Sequence, residues 1–499
     1  MKKVAILLIT VTILSKILGL FRDIALSYYY GASSISDVYI VAITISTVIY
    51  SFIIKGISTS YIPMYKNIEN LSGKKESLKF TNNLLNITIV FSLILIVISF
   101  LCAPQLVKVF AYGFNQTETD LAILFTRISL MSILFTGMVF LFSGYLNVEN
   151  SFVIPTLIGL PLNIVIILSI YLSSKYNIEI LIYGSTFAIA TQLLLLIPYA
   201  IKKGYKYSFT LDFKDEQIKK LFLIAAPVMI GVSINQINVL VDRTIASQII
   251  TGGISALNYA NKINLLVQGI FVVTISTVMY PLISKMAAER NYESLKIVTK
   301  NSLNSINLFV IPSTVGSMIF SKPIIEVLFL RGEFDQEAYL LTASALFFYS
   351  IGMIGFGLRE VLSRVFYSLQ DSKTPMINAA IGLVLNLILN LILSKYLGIA
   401  GLALATSISA IFTTVLLFFS LKRKISDFYI IEVVINFGKI LIASIIMGFL
   451  GFIIYEYLSL DNSVFFSLTI SIISCSLIYL VLIKVFKING LEFLIEKLN

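Results

Sequence analysis

Apolar runs of about 20 residues, the length a helix needs to cross a hydrocarbon core, follow one another along the whole chain and leave no room for a folded soluble domain. About fourteen are expected, at 4–30, 36–58, 82–103, 121–146, 152–173, 178–201, 221–249, 254–284, 301–321, 337–367, 375–395, 400–421, 432–458 and 463–485. The alternating polarity of membrane β-strands is absent. Charge agrees: 13% of the residues are charged, against about 25% in a soluble domain, and mean hydropathy is +0.94. The sequence therefore predicts an all-α polytopic membrane protein. Its opening "MKKVAILLITVTIL" is followed by no small-residue cleavage site, so the first span is read as uncleaved. Cys102 and Cys475 both lie in apolar runs and suggest no disulfide framework.

With a cytoplasmic N-terminus, the inner connections include "KNIENLSGKKESLK", "KKGYKYSFTLDFKDEQIKK", "KMAAERNYESLKIVTK" and "KRK", and by this assignment the inner side carries 23 cations against about 5 on the outer side. That positive-inside bias predicts two cytoplasmic termini. It also accounts for the net charge of +11 by topology and lipid-surface contact, without nucleic acid.

The chain echoes itself. "ESLKF" at 76–80 returns as "ESLKI" at 293–297, "YIPMYK" as "MYPLISK", and "YLNVENSFVIP" as "YSLQDSKTP", at offsets of 217 to 222 residues. Six spans per half give both halves the same orientation, as in transporters whose parallel repeats hold substrate between them. The expected domains are a lobe at 1–205, a lobe at 206–425 and a C-terminal helix pair at 426–499.

The first span carries charge. At 100° per residue, Ser15, Lys16, Gly19, Arg22 and Asp23 share an arc of about 120°. Thr44, Thr47, Ser51, Lys55, Ser58 and Thr59 form a stripe on the second span, and Ser255, Asn258, Asn261 and Lys262 one on the eighth. Nine cations fall within spans: Lys16, Arg22, Lys55, Arg127, Arg243, Lys262, Arg359, Arg364 and Lys439. The acids there are fewer: Asp23, Asp37, Asp242 and Glu360. Each charge costs at least about 2.5 kcal/mol at a helix centre in lipid, so the set predicts a wet, net-cationic cavity with an anionic guest. Two plainer readings stand beside it. Lys55, Arg127 and Lys439 can snorkel to headgroups, and Arg22 with Asp23, Arg243 with Asp242, and Arg364 with Glu360 can be structural pairs.

A second set is neutral or acidic. Asn235, Asn238 and Asp242 line one face of the seventh span, Asn386 and Asn390 one face of the eleventh, and Thr406 lies on the twelfth. Their oxygens suit a small hard cation; hydrogen bonding between spans explains them equally well. The chain has no histidine, so no His-based metal site or catalytic triad, and no G-x-x-x-x-G-K-[ST] loop for ATP hydrolysis. A transporter rather than an enzyme is expected.

"SKILGLFRD", "GASSISDVYIVA", "GISTSYIPMY", "PVMIGVSINQINVLVDRTIAS" with "ALNYANKI", and "FYSLQDSKTP", taken in order, resemble the MurJ (MviN) family of lipid II flippases in the multidrug/oligosaccharidyl-lipid/polysaccharide exporter superfamily. The resemblance runs through nearly the whole chain. It implies fourteen helices as two six-helix lobes plus a final pair, a bacterial cytoplasmic membrane, a monomer, and a partner in undecaprenyl-diphosphate carrying the peptidoglycan disaccharide-pentapeptide. By alternating access that lipid would pass from inner to outer leaflet. The family's cavity arginines fall on Lys16, Arg22 and Lys262, its essential acid on Asp37, and a further arginine position on Tyr50. Lysine keeps the charge but loses the bidentate fork of arginine. A family sodium site maps onto Asp242, Asn386, Asn390 and Thr406; no other cofactor is implied. The rival readings are a flippase for another polyprenyl-diphosphate-linked glycan, and a cation-coupled drug exporter, which would need the opposite cavity sign.

Overall fold

The structure is a computed structural model that describes residues 2–425 and 428–488, with the side chains of 2–6, 9, 52–53, 55, 58–59, 227–228 and 230–235 left out. Its elements are α1 (Lys2–Tyr30), α2 (Ser34–Ser72), α3 (Lys74–Leu101), α4 (Ala103–Phe110), α5 (Gln116–Leu130), α6 (Ser132–Val148), α7 (Val153–Leu157), α8 (Gly159–Lys175), α9 (Glu179–Lys202), α10 (Glu216–Ile249), α11 (Gly253–Val267), a π-helical turn (Gln268–Val272), α12 (Val273–Ala288), α13 (Tyr292–Ile319), α14 (Ser321–Phe329), α15 (Gln336–Ser368), α16 (Lys373–Leu397), α17 (Ile399–Lys424), α18 (Ile430–Ser459) and α19 (Val464–Val485). Helices are what lipid demands, since a helix satisfies its backbone polar groups within one segment.

Among the described residues, 11 helical segments are long and apolar enough to cross a membrane, or 12 when α13 and α14, which meet at 76°, count as one broken span. The long helices α1 and α10, of 29 and 34 residues, lie on the first and seventh predicted segments. Each of the fourteen predicted runs thus falls on helix. Polar caps start several of them where the chain leaves the membrane. Asn115 and Glu118 form a capping box on α5, and the carboxylate of Asp335 accepts from Ala338 N at 2.8 Å on α15.

The duplication is visible element by element. α3 begins at Lys74 and α13 at Tyr292, while α9 begins at Glu179 and α17 at Ile399, 218 and 220 residues later. The turns share backbone detail. Asn150 and Gln370 both adopt positive φ, 56° and 58°. Ser151 N donates to Leu146 O just as Asp371 N donates to Phe366 O, at 2.8 and 2.9 Å. One difference is that α5 and α6 break at Met131, where α15 runs on unbroken.

Asp371 ties its turn to the end of α17, accepting from Lys424 Nζ and from the N–H and hydroxyl of Thr374. Burial alone would raise this carboxyl, but those three donors outweigh it and bring it from 3.8 down to about 2. A carboxyl lowered by folding contributes stability above its unfolded pKa and loses it as pH falls through the folded one. The thermal midpoint of the detergent-solubilised protein should therefore drop between about pH 4 and pH 2. An Asp371→Asn variant should lack that part of the drop; identical pH profiles would remove the turn's role.

The chain forms two compact units, Met1–Ser255 and Ala256–Asn499. The repeat counts α10 with the second half, from residue 206, whereas by packing it lies along α2 and belongs to the first unit. In that unit α2 is central, packing on α3, α5, α6 and α10. Three asparagines of α3 bind the connection between α9 and α10. Asn82 donates to Lys206 O and Ser208 Oγ (both 3.0 Å), Asn83 donates to Asp212 O (3.0 Å) and accepts from Asp212 N (2.8 Å), and Asn86 donates to Thr210 O (2.8 Å).

In the second unit α15 and α17 share the most extensive packing among the described elements. A Cβ on Gly352 would stand 2.6 Å from Ser407 Oγ, and one on Gly355 2.7 Å from Ile411 N. The hydroxyls of Ser407 and Thr414 donate across this seam to Phe348 O and Gly355 O, at 2.6 and 2.7 Å. Small residues with hydroxyl bridges are the usual glue between helices in lipid. α18 packs on α13 and α19, and Tyr479 Oη of α19 donates to Leu308 O of α13 at 2.7 Å, which fixes the C-terminal pair to this unit.

Candidate functional site

The polar stripe of α1 divides between two tasks. Ser15 and Gly19 lie against α8: Asn163 Nδ2 donates to Ser15 O at 3.3 Å, and a Cβ on Gly159 would meet Ser15 Oγ at 2.0 Å. Tyr30 Oη donates to Ser173 Oγ at 2.7 Å and closes the same contact farther along. Lys16 is left half-buried with no hydrogen bond or ion pair among the described residues. Arg22 donates from Nε and one terminal nitrogen to Asp23 Oδ1, at 3.2 and 3.0 Å. Asp23 is 4% exposed, and its Oδ2 has no partner among the described residues. The predicted pair of Arg22 and Asp23 therefore exists, and it retains an acceptor.

Asp37, in the first turn of α2, is fully engaged. Its Oδ2 accepts from Gly252 N at 2.8 Å, and its Oδ1 accepts from Ser255 N and Ser255 Oγ, both at 2.7 Å. Gly252 and Ser255 flank the first residues of α11, so the carboxylate sits where helix-terminal N–H groups are exposed. Arg243 donates to Ile254 O at 2.8 Å within the same turn. Sequence reasoning named Asp37 and Ser255 but did not join them, because a partner more than 200 residues away leaves no local signal.

Tyr50 lines a cavity of about 600 Å³ in the first unit, with Thr47, Ser51, Thr136, Ser143, Gln192 and Gln236. That volume is within the range of small-molecule sites, about 300–1,000 Å³. Among the described residues no charged side chain lines it, and the Gln192 side chain, 7% exposed, has no hydrogen-bond partner. Gly137 makes the room for Tyr50, since a Cβ there would stand 2.0 Å from the phenolic oxygen. Gln192 was not singled out from the sequence; a lone amide in an apolar run was the available signal.

Lys262 lies half-buried on α11 in the second unit. There Asn390 Nδ2 donates to Asn386 Oδ1 at 2.9 Å, and Asn386 Nδ2 to Thr406 Oγ1 at 3.4 Å, so three of the four residues mapped to a sodium site do meet. They also link α16 to α17, as the interhelical reading expected. Asp242, the one carboxylate of that set, belongs to the first unit. The donors are oxygens throughout, which fits an alkali cation in kind. Lys55 and Asn235 lie outside the described residues.

A family model described as "Lipid II flippase MurJ" matches residues 26–476. The chain is 31% identical over 484 residues to the "Lipid II flippase MurJ" of Thermosipho africanus, covering 97% of this chain and 96% of that one. It is 26% identical over 425 residues to the protein of the same description in Burkholderia cenocepacia, covering 83% and 82%. Among solved structures it is similar to "Lipid II flippase MurJ, inward closed conformation", with TM-score 0.83, 29% identity, and coverage of 96% and 98%. An inward-facing multidrug resistance MATE transporter of the MOP superfamily matches with TM-score 0.70 and 16% identity over 85% of this chain and 98% of that one, which shows a shared fold alone. Matched by the family model over most of its length, and aligned nearly end to end with a relative at 31% identity, the chain belongs to the MurJ lipid II flippase family.

Proposed function

We propose that this chain moves lipid II from the inner to the outer leaflet of a bacterial cytoplasmic membrane by alternating access, as a monomer with both termini in the cytoplasm. The observation that carries the reading is the near end-to-end match to the Thermosipho africanus flippase. Lys16, Arg22 and Lys262 hold the pyrophosphate. Among the described residues the ammonium of Lys16 has no ion pair and the guanidinium of Arg22 has Asp23 beside it as its one acid partner, which supports this. The hydroxyls and amides around Tyr50 suit the uncharged sugars, and α18 with α19 guides the polyprenyl tail. Asp37 and Asp23 reset the carrier by engaging cations once the substrate leaves. Asp242, Asn386, Asn390 and Thr406 would hold a sodium ion, whose charge would bias one conformation. An inside-negative potential assists, since each negative charge moved outward gains up to about 2.3 kcal/mol per 100 mV.

The test is depletion in the native cell with a leaflet-resolved assay of lipid II. Wild type should restore outward lipid II, and Lys16→Ala should cut that several-fold while leaving the thermal midpoint unchanged. Normal translocation by Lys16→Ala, Arg22→Ala and Lys262→Ala alike would remove the headgroup site. Lysine at two positions and Tyr50 at a third, where the resemblance places arginine, favour one second reading, a different polyprenyl-diphosphate glycan. Restoration of that glycan and not of lipid II would establish it.

A further inference from the structure

At one end of α13, α18 and α19 the second unit holds a cavity of about 260 Å³ that the proposed transport cycle does not use. Lys300, Asn301 and Asn304 line it from α13, Glu432 and Lys439 from α18, and Lys487 from the turn after α19. Its charges do not cancel. Glu432 is held by Lys300 Nζ at 2.7 Å, and the same ammonium sits 4.5 Å above the Tyr429 ring. Lys439 and Lys487 have no ion pair among the described residues.

Asn304 supplies an independent sign of a ligand. It is 7% exposed, and its side-chain carbonyl oxygen has no hydrogen-bond partner among the described residues. Buried amides are nearly always satisfied, so one left unsatisfied in a residue that lines a cavity calls for a polar guest with a donor.

Height in the membrane narrows the guest. α13 and α18, with 28 and 30 residues, are about 42 and 45 Å long, more than the roughly 30 Å of hydrocarbon. Both become free of charge just past the cavity, from Asn301 to Ile319 and from Ile440 to Tyr455. The lysines therefore stand where the apolar runs begin, at headgroup depth, with their stems free to lie along apolar surface. Basic pockets between spans at that depth recognise anionic headgroups.

We infer that this cavity binds the phosphodiester of an anionic membrane phospholipid bearing a headgroup hydroxyl. Lys439 and Lys487 take the phosphate oxygens, and Asn304 accepts from the hydroxyl. Phosphatidylglycerol has that chemistry; phosphatidylcholine lacks both the net charge and the hydroxyl.

Full-length protein in neutral detergent, titrated with phosphatidylglycerol and read by native mass spectrometry, tests the inference. Phosphatidylcholine of the same chains serves as control and sodium phosphate as soluble competitor. A Lys439→Gln/Lys487→Gln variant should bind phosphatidylglycerol roughly 30-fold more weakly, which is about 2 kcal/mol at tenfold per 1.4 kcal/mol, or about 1 kcal/mol for each lysine. Asn304→Leu should weaken it several-fold, and neither should change retention of phosphatidylcholine. Both lysines are exposed, so the double variant should keep its thermal midpoint and decide the matter even if Asn304→Leu unfolds. Equal affinity in the double variant overturns the site, as does equal affinity of wild type for phosphatidylcholine. Displacement by sodium phosphate shows a free-phosphate site and overturns the lipid assignment. No transport is measured, so a negative result leaves the flippase reading standing.

Discussion

Replacing Arg22 by alanine should abolish lipid II translocation and also cost about 3 kcal/mol of stability. The second effect comes from Asp23, which is 4% exposed and would lose both guanidinium contacts, 3.0 and 3.2 Å long. An uncompensated carboxylate among packed helices has no water to turn to. The double variant Arg22→Ala/Asp23→Asn removes that charge and should recover most of the lost thermal midpoint, yet still fail to translocate. If the double variant translocates normally, Arg22 serves only to neutralise Asp23 and takes no part in holding pyrophosphate. Lys16→Ala provides the contrast, because no buried partner is stranded.

Gly252→Ala should destabilise the first unit by roughly 2 kcal/mol or more, and Ser255→Ala by about 1 kcal/mol. Gly252 has φ of 82°, where a side chain is strained, and a Cβ there would stand 2.1 Å from the carbonyl oxygen of Ala32. Backbone cannot swing aside as a side chain can, so the segment must shift. The shift pulls Gly252 N and Ser255 away from Asp37, a carboxylate 1% exposed that accepts three hydrogen bonds from them. Thermal unfolding in detergent measures both variants. An unchanged midpoint for Gly252→Ala would mean that this turn relaxes freely and that Asp37 is not fixed by it.

Much of the fold is legible in the sequence because lipid leaves few choices: a run of 20 apolar residues has only a helix to form. The repeat is legible because proline and basic turns recur in order, and the positive φ of Asn150 and Gln370 shows what those turns share. The candidate site is less so. A helical wheel places Ser15 and Lys16 on one face, but cannot say that α8 would occupy half of that face with Gly159 and Asn163. Asn386 and Asn390 could be grouped by spacing and do meet. Tyr50 could be noted as a departure from arginine, yet the hollow that receives it depends on Gly137 of another helix. Wheel geometry also fails across Gln268–Val272, where the π turn rotates α12 relative to the register of α11.

The basic stretch from Lys203 to Asp215, written like a slack tether, is instead stitched to α3 by amides that read its backbone and also the side chains of Tyr205, Tyr207, Ser208 and Asp215. Its path therefore depends on those four side chains as well as on Asn82, Asn83 and Asn86. An epitope or fluorescent domain spliced between Lys206 and Asp212 would unpick that seam.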